Sequence, residues 1–185
     1  MNTWAIVLNI IIIILEVIAF IKGFPERGWS AVIFYTVLSN LAAALSSVVL
    51  LIFGPGSFTA AFRYLASCIM AMTFLVTTCI LIPLGGSPKM LLLSGTGPYH
   101  HILCPVLCVV SYLAFETHSR LWAVPVIFTF AYGMIMLYLN HKKVVDGPYP
   151  FFKVNEQGAR KTIVWMAGLI CLITAISLAV MFIAR

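Results

Sequence analysis

Residues 1–24 read MNTWAIVLNIIIIILEVIAFIKGF. From Trp4 to Ile21 the stretch is apolar almost throughout, with Glu16 placed late in it. A helix needs roughly 20 such residues to cross a ~30 Å hydrocarbon layer. No basic segment precedes the run and no small-residue cleavage pattern follows it, so it reads as a retained first helix rather than a signal peptide. The pattern recurs along the chain. Six runs have this character, at about Trp4–Ile21, Ala31–Phe53, Tyr64–Leu84, His100–Phe115, Leu121–Leu139 and Thr162–Ala184. Nothing alternates with the period of two that a lipid-facing barrel strand requires. The expectation is an all-α integral membrane protein, a six-transmembrane-helix bundle forming one domain over residues 1–185.

Composition agrees. Of 185 residues, 63% are hydrophobic and 9% charged, where soluble domains run nearer half and a quarter. A mean hydropathy of +1.10 exceeds what a small globule can hide, because such a domain leaves much of its surface in water. Cys68, Cys79, Cys104, Cys108 and Cys171 all fall inside the runs and are odd in number, so they read as small hydrophobes rather than a disulfide framework. A net charge of +6 points to nucleic acid in a soluble protein; here it sets orientation, and no nucleic-acid partner is expected.

With six spans both termini share a side. That side carries Arg63, Arg120 and Arg185; the other carries Lys22, Arg27, Lys89, Lys142, Lys143, Lys153, Arg160 and Lys161, a tally of three against eight. Cytoplasmic loops collect the Lys and Arg excess. The termini are therefore predicted to be non-cytoplasmic, in a multi-pass protein of the cell (inner) membrane.

Polar side chains inside spans are expensive and are the first place to look for function. Glu16 lies late in the first run. In the second, Thr36, Asn40, Ala43 and Ser47 share a helical face. Thr73 and Thr77 follow in the third, His100 and His101 open the fourth, and Asn140 and His141 end the fifth. Threaded through alternating helix directions, Glu16, Thr36, Thr77, the paired histidines, Asn140 and His141 all reach the same half of the bilayer, which predicts a shared polar pocket open toward the cytoplasm. Glu116 and His118, on the opposite side, read as interfacial residues.

Three stretches resemble one family. FYTVLSNLAAAL (34–45), YHHILCPVLCVVSYLAFE (99–116) and DGPYPFFKVNEQGAR (146–160) are similar, in order and spacing, to the second-helix motif, histidine-bearing fourth helix and aromatic-Tyr-Pro-Phe loop of the androgen-induced gene and androgen-dependent TFPI-regulating protein family. The resemblance implies a six-helix membrane bundle. It also implies an intramembrane threonine hydrolase of fatty acid esters of hydroxy fatty acids or similar acyl esters. The family's threonine nucleophile falls on Thr36 and its histidine on His101 or His100.

The chemistry is physically coherent. A threonine hydroxyl is a poor nucleophile until a base takes its proton, and a neutral imidazole suits that task. Oxyanion or substrate-binding candidates are Asn40, one turn from Thr36, then Ser39, the second histidine and Tyr99. Glu16 or Asn140 is placed to orient the imidazole, and Asn155 or Asp146 to reach the pocket from the 146–160 loop. A greasy ester reaches such a site laterally from the bilayer.

No G-x-S-x-G elbow and no H-E-x-x-H pair is present. His100, Cys104 and Cys108 share a helical face, but no acidic ligand accompanies them, so neither metal nor cofactor is expected. The 146–160 loop has two readings: Tyr149, Phe151 and Phe152 as an interfacial aromatic anchor, or Pro148 and Pro150 stiffening a lid. Two other functions fit the polar pocket: a membrane acyltransferase working through the same acyl-enzyme, and a lipid-binding or transporter-like protein without catalysis.

Overall fold

The computed structural model describes residues 1–184, the side chains of Glu26 and Arg27 excepted. Arg185 and the Arg27 side chain, both counted for orientation, lie outside the described residues. Among those residues every regular element is helical: α1 (Thr3–Arg27), α2 (Tyr35–Phe53), α3 (Ser57–Val76), α4 (Cys104–Phe115), α5 (Ala123–His141) and α6 (Val154–Ile183), with short 3₁₀ and π turns between them. Five stretches are long and apolar enough to cross a membrane: Thr3–Pro25, Tyr35–Phe53, Ser57–Leu81, Ala123–His141 and Val154–Ile183. The fourth expected span is shorter, Tyr99–Phe115, and its first turn is π-helical.

Local chemistry explains the helix ends. The Asn2 side chain accepts the Trp4 N–H at 2.8 Å and caps α1. Gly28, at φ 54°, closes that helix in a conformation that favours glycine. Ala31–Ile33, expected inside the second span, instead belong to a 3₁₀ turn, Gly28–Ile33. The third helix begins at Ser57, two turns before the expected Tyr64. That difference matters, because it moves Arg63 from a loop into a helix.

The third helix is the centre of the bundle. It packs on α2, α4, α5 and α6, while α1 lies against α2 and α4. Ala66, Ser67 and Cys68 are fully buried on it, and small residues of this kind let helix backbones approach closely. Tyrosine hydroxyls join the other helices: Tyr64 donates to the Ser177 carbonyl at 2.6 Å, and Tyr35 and Thr129 share a bond of 2.8 Å. By contrast Ile14 and Val17 of α1 are each 51% exposed, part of an aliphatic face that no other helix covers.

Arg63 itself is fully buried. Its Nε and Nη2 donate to Glu116 Oε2 and Oε1 at 2.8 and 2.9 Å, and its Nη1 donates to Ser46 and Ser47 Oγ at 3.1 and 3.0 Å. Ser111 and Asn9 complete the Glu116 carboxylate at 2.6 and 2.9 Å. Neither the reading of Arg63 as a loop charge nor that of Glu116 as interfacial holds: the Glu116 side chain is 1% exposed. A bidentate guanidinium–carboxylate pair whose remaining polar atoms are satisfied is the form in which buried charge is tolerated.

Burial opposes ionisation of Glu116, but the Arg63 guanidinium and the Ser111 and Asn9 donors outweigh it and hold the carboxyl below its usual range. Its folded value is below the unfolded one, so the pair's stability is fully present above the ordinary carboxylate range and is lost as pH falls through the folded value. Arg63→Leu or Glu116→Gln strands a buried partner and lowers stability by about 3–5 kcal/mol. The double variant Arg63→Leu/Glu116→Leu recovers part of that loss. Thermal melts in detergent across pH check both points, and the acid-side decline of the wild type is smaller in Glu116→Gln.

Candidate functional site

At the opposite end of the bundle regular helix gives way. The 3₁₀ turn Gly28–Ile33 is joined there by π turns at Thr77–Leu81, Lys89–Leu93 and Tyr99–Leu103. Between them lies a cavity of about 680 Å³, within the range of small-molecule sites, about 300–1,000 Å³. Its walls are largely apolar, Phe24, Trp29, Leu84 and Met90 among them, and Thr36, His100, His101 and Tyr149 also front it.

Thr36 is the second residue of α2. Phe34 precedes the helix in extended conformation and offers no side-chain cap, so the first amides lack the usual local acceptor. The Thr36 N–H finds one across the bundle, donating to Tyr149 Oη at 3.2 Å. Thr36 Oγ1 lies 3.1 Å from the same oxygen. The Thr36 carbonyl accepts from Ser39 Oγ at 2.9 Å and Asn40 Nδ2 at 2.7 Å.

The histidines stand where they do because of Pro105. In the turn Tyr99–Leu103 the Cys104 N–H reaches back five residues to the Tyr99 carbonyl. The next donor in that register would serve the His100 carbonyl, but Pro105 has no N–H. Asn40 Nδ2 supplies the missing bond at 3.2 Å. One amide nitrogen thus ties the Thr36 and His100 main chains together. Turns of this kind, with one residue too many, recur at functional sites.

The two imidazoles have different partners. His101 Nδ1 is 2.9 Å from Thr77 Oγ1, which joins one π turn to another. His100 Nε2 is 3.6 Å from Glu16 Oε2. Glu16 Oε1 is buried with no hydrogen-bond partner among the described residues. No imidazole bonds the Thr36 hydroxyl; Tyr149 does.

Tyr149 arrives on the loop after α5. Gly147, at φ 72°, makes the turn, and a Cβ there would meet Lys153 Cγ at 3.2 Å and Asn140 Nδ2 at 3.3 Å. Asn140 Nδ2 donates to the Val145 carbonyl at 3.1 Å, and Asn155 Nδ2 to the Asn140 carbonyl at 2.6 Å. The Tyr149 ring stacks on Phe151 (5.2 Å, 15°) and meets Phe34 edge-on (6.0 Å, 89°). Tyr149, Phe151 and Phe152 are all buried. The loop folds inward over the bundle end, so the interfacial-anchor reading is corrected.

The expected site residues therefore divide. Thr36, His100 and His101 front one cavity, with Glu16 behind His100. Ser39 is buried, bonded to Thr73 Oγ1 at 2.8 Å, and Asn40 is committed to two carbonyls; both are braces. Asn140 and Asn155 shape the loop and lie off the cavity. Tyr99, a further oxyanion candidate, accepts from Lys22 Nζ at 2.9 Å. His118 packs on Tyr112 at the far end. Reasoning from sequence missed Tyr149 as a partner of Thr36, although a tyrosine between two prolines was the available sign of a rigidly presented side chain. Comparison with protein-family models, with curated proteins and with solved structures finds no match to this chain.

Asn40→Leu removes the bond to the partly buried His100 carbonyl and lowers stability by about 0.5–1.5 kcal/mol. Adding Pro105→Ala restores a helix donor and recovers part of the loss, which a double-mutant cycle of melting temperatures measures.

Proposed function

We propose that this chain is a multi-pass membrane hydrolase of lipid esters with Thr36 as nucleophile and His101 as base, a relative of the family its three motifs resemble. The observation that carries this reading is that Thr36, His100 and His101 front one largely apolar cavity. Five long apolar helices and the uncovered aliphatic face of α1 support a bilayer setting, with Tyr99–Phe115 as a sixth, short crossing. Lys22, Lys89, Lys142, Lys143, Lys153, Arg160 and Lys161 belong to the cavity end, which supports a cytoplasmic cavity end with the termini outside. Burying Arg63 removes one charge from the opposing tally and strengthens that assignment.

In the reaction, the Thr36 hydroxyl proton passes to His101 through a cavity water while Oγ1 bonds the ester carbonyl carbon. The tetrahedral adduct collapses, the alcohol leaves with the proton from the imidazole, and an acyl-Thr36 remains. Water then attacks with its proton going to His101; the C–Oγ1 bond breaks, the fatty acid departs, and Thr36 regains its proton. Thr77 holds the base: its bond to Nδ1 leaves Nε2 for the cavity, where no described residue bonds it.

A second reading, lipid binding without catalysis, is favoured by the resting bond between Thr36 and Tyr149 rather than an imidazole. An acyltransferase would differ in having an alcohol take the acyl group in place of water. Incubation of purified protein with a fatty acid ester of a hydroxy fatty acid separates the three. Thr36→Ala and His101→Ala abolish release of free fatty acid, Thr36→Ser retains it, and a fluorophosphonate probe labels the residue-36 peptide in the wild type and Thr36→Ser but not in Thr36→Ala or His101→Ala. Binding of the ester with no cleavage supports the second reading, and product formed only with added alcohol the transferase.

A further inference from the structure

We infer that Tyr149 is a catalytic residue, the side-chain half of an oxyanion hole whose other half is the Thr36 amide. The inference rests on the hydrolase reading, because it concerns what lies beside the nucleophile. An acyl adduct on Thr36 Oγ1 develops negative charge on the former carbonyl oxygen, next to the nucleophile and within reach of that residue's own N–H. In the resting protein that position is held by the Tyr149 hydroxyl, 3.1 Å from Oγ1 and 3.2 Å from the Thr36 nitrogen. The Tyr149 oxygen is the oxyanion's stand-in. When a carbonyl oxygen takes the amide, the phenol is left beside it as an O–H donor and keeps its proton throughout.

Three features fit this role. The Thr36 amide is at the start of α2, where no side-chain cap competes for it and the helix dipole favours negative charge. The phenol ring is clamped between Phe151 and Phe34, so the donor is fixed before charge develops, which is what makes such donors effective. The side chain assigned this task by sequence, Asn40, has its amide nitrogen committed to the Thr36 and His100 carbonyls.

The test compares an oxo ester with its thionoester, whose sulfur accepts hydrogen bonds poorly, on wild type, Tyr149→Phe and Thr36→Ala. Loss of the donor lowers kcat by about 10²–10³-fold while KM holds, and the oxo-to-thiono rate ratio, large in the wild type, shrinks in Tyr149→Phe. Because that ratio comes from one preparation, it does not depend on how much of the variant folds. An unchanged ratio in Tyr149→Phe, with Thr36→Ala inactive, overturns the oxyanion role and leaves the hydrolase reading standing. Turnover surviving in Thr36→Ala overturns Thr36 as the nucleophile, and with it the mechanism on which the oxyanion role rests.

Discussion

The fold depends on a charge that has nowhere else to go. Arg63 is on the innermost helix, and a lone guanidinium there would face a prohibitive loss of hydration. It is tolerated only when α1 brings Asn9, α2 brings Ser46 and Ser47, and the end of α4 brings Ser111 and Glu116. An apolar core alone would accept several packings of greasy helices, since aliphatic faces are interchangeable. This cluster accepts one, because any rotation of the surrounding helices strips a donor or acceptor from a buried ion. Its contribution is to uniqueness more than to net stability, which agrees with the modest net worth of buried ion pairs.

Fixing one end leaves the other free to be irregular. Each element that meets Arg63 or Glu116 at the locked end contributes a candidate residue at the far end: α1 gives Glu16, α2 gives Thr36, the π turn after α3 gives Thr77, and the π turn before α4 gives the histidines. The two ends are joined by rigid helices, so the geometry of the cavity is referred back to the ion pair. Non-helical backbone is tolerable where it is buried in protein or lines a cavity, and the 3₁₀ and π turns gather around the cavity at this end.

Sequence reading located this division without seeing its cause. Apolar runs announced the helices, and helix direction put Glu16, Thr36, Thr77, the histidines and Asn140 at one end of the bundle, where Thr36, His100 and His101 front the cavity, because period and direction are properties of a helix alone. Arg63 was misread for the opposite reason: a charge beside an apolar run marks a boundary unless a partner exists, and its partner is 53 residues away. Asn40, Asn140 and Asn155 were read as pocket groups because a polar side chain in an apolar segment looks functional. Their acceptors are main-chain carbonyls exposed by a proline, a glycine turn and a loop, none of which has a signature at the asparagine. Tyr149 escaped because aromatic residues flanked by lysines look interfacial, and only tertiary packing turns the ring inward.

Pro105 and Phe34 create the site by what they fail to provide. Pro105 withholds the donor that would have satisfied His100, so Asn40 must cross from α2, and that crossing draws the histidine turn against the start of the helix carrying Thr36. Phe34 withholds a cap, so the first amides of α2 must find an acceptor outside their own helix, and that need draws in Tyr149 with its loop. Both are deficits of backbone hydrogen bonding within a packed helix bundle, so each is met by a side chain from another element. Thr36 stands where the two repairs meet, its carbonyl bonded to Asn40 and its amide to Tyr149. On the hydrolase reading proposed above, a nucleophile held by its own main chain on both sides needs little reorganisation when an ester arrives, and the groups that hold it are the ones that chemistry can use.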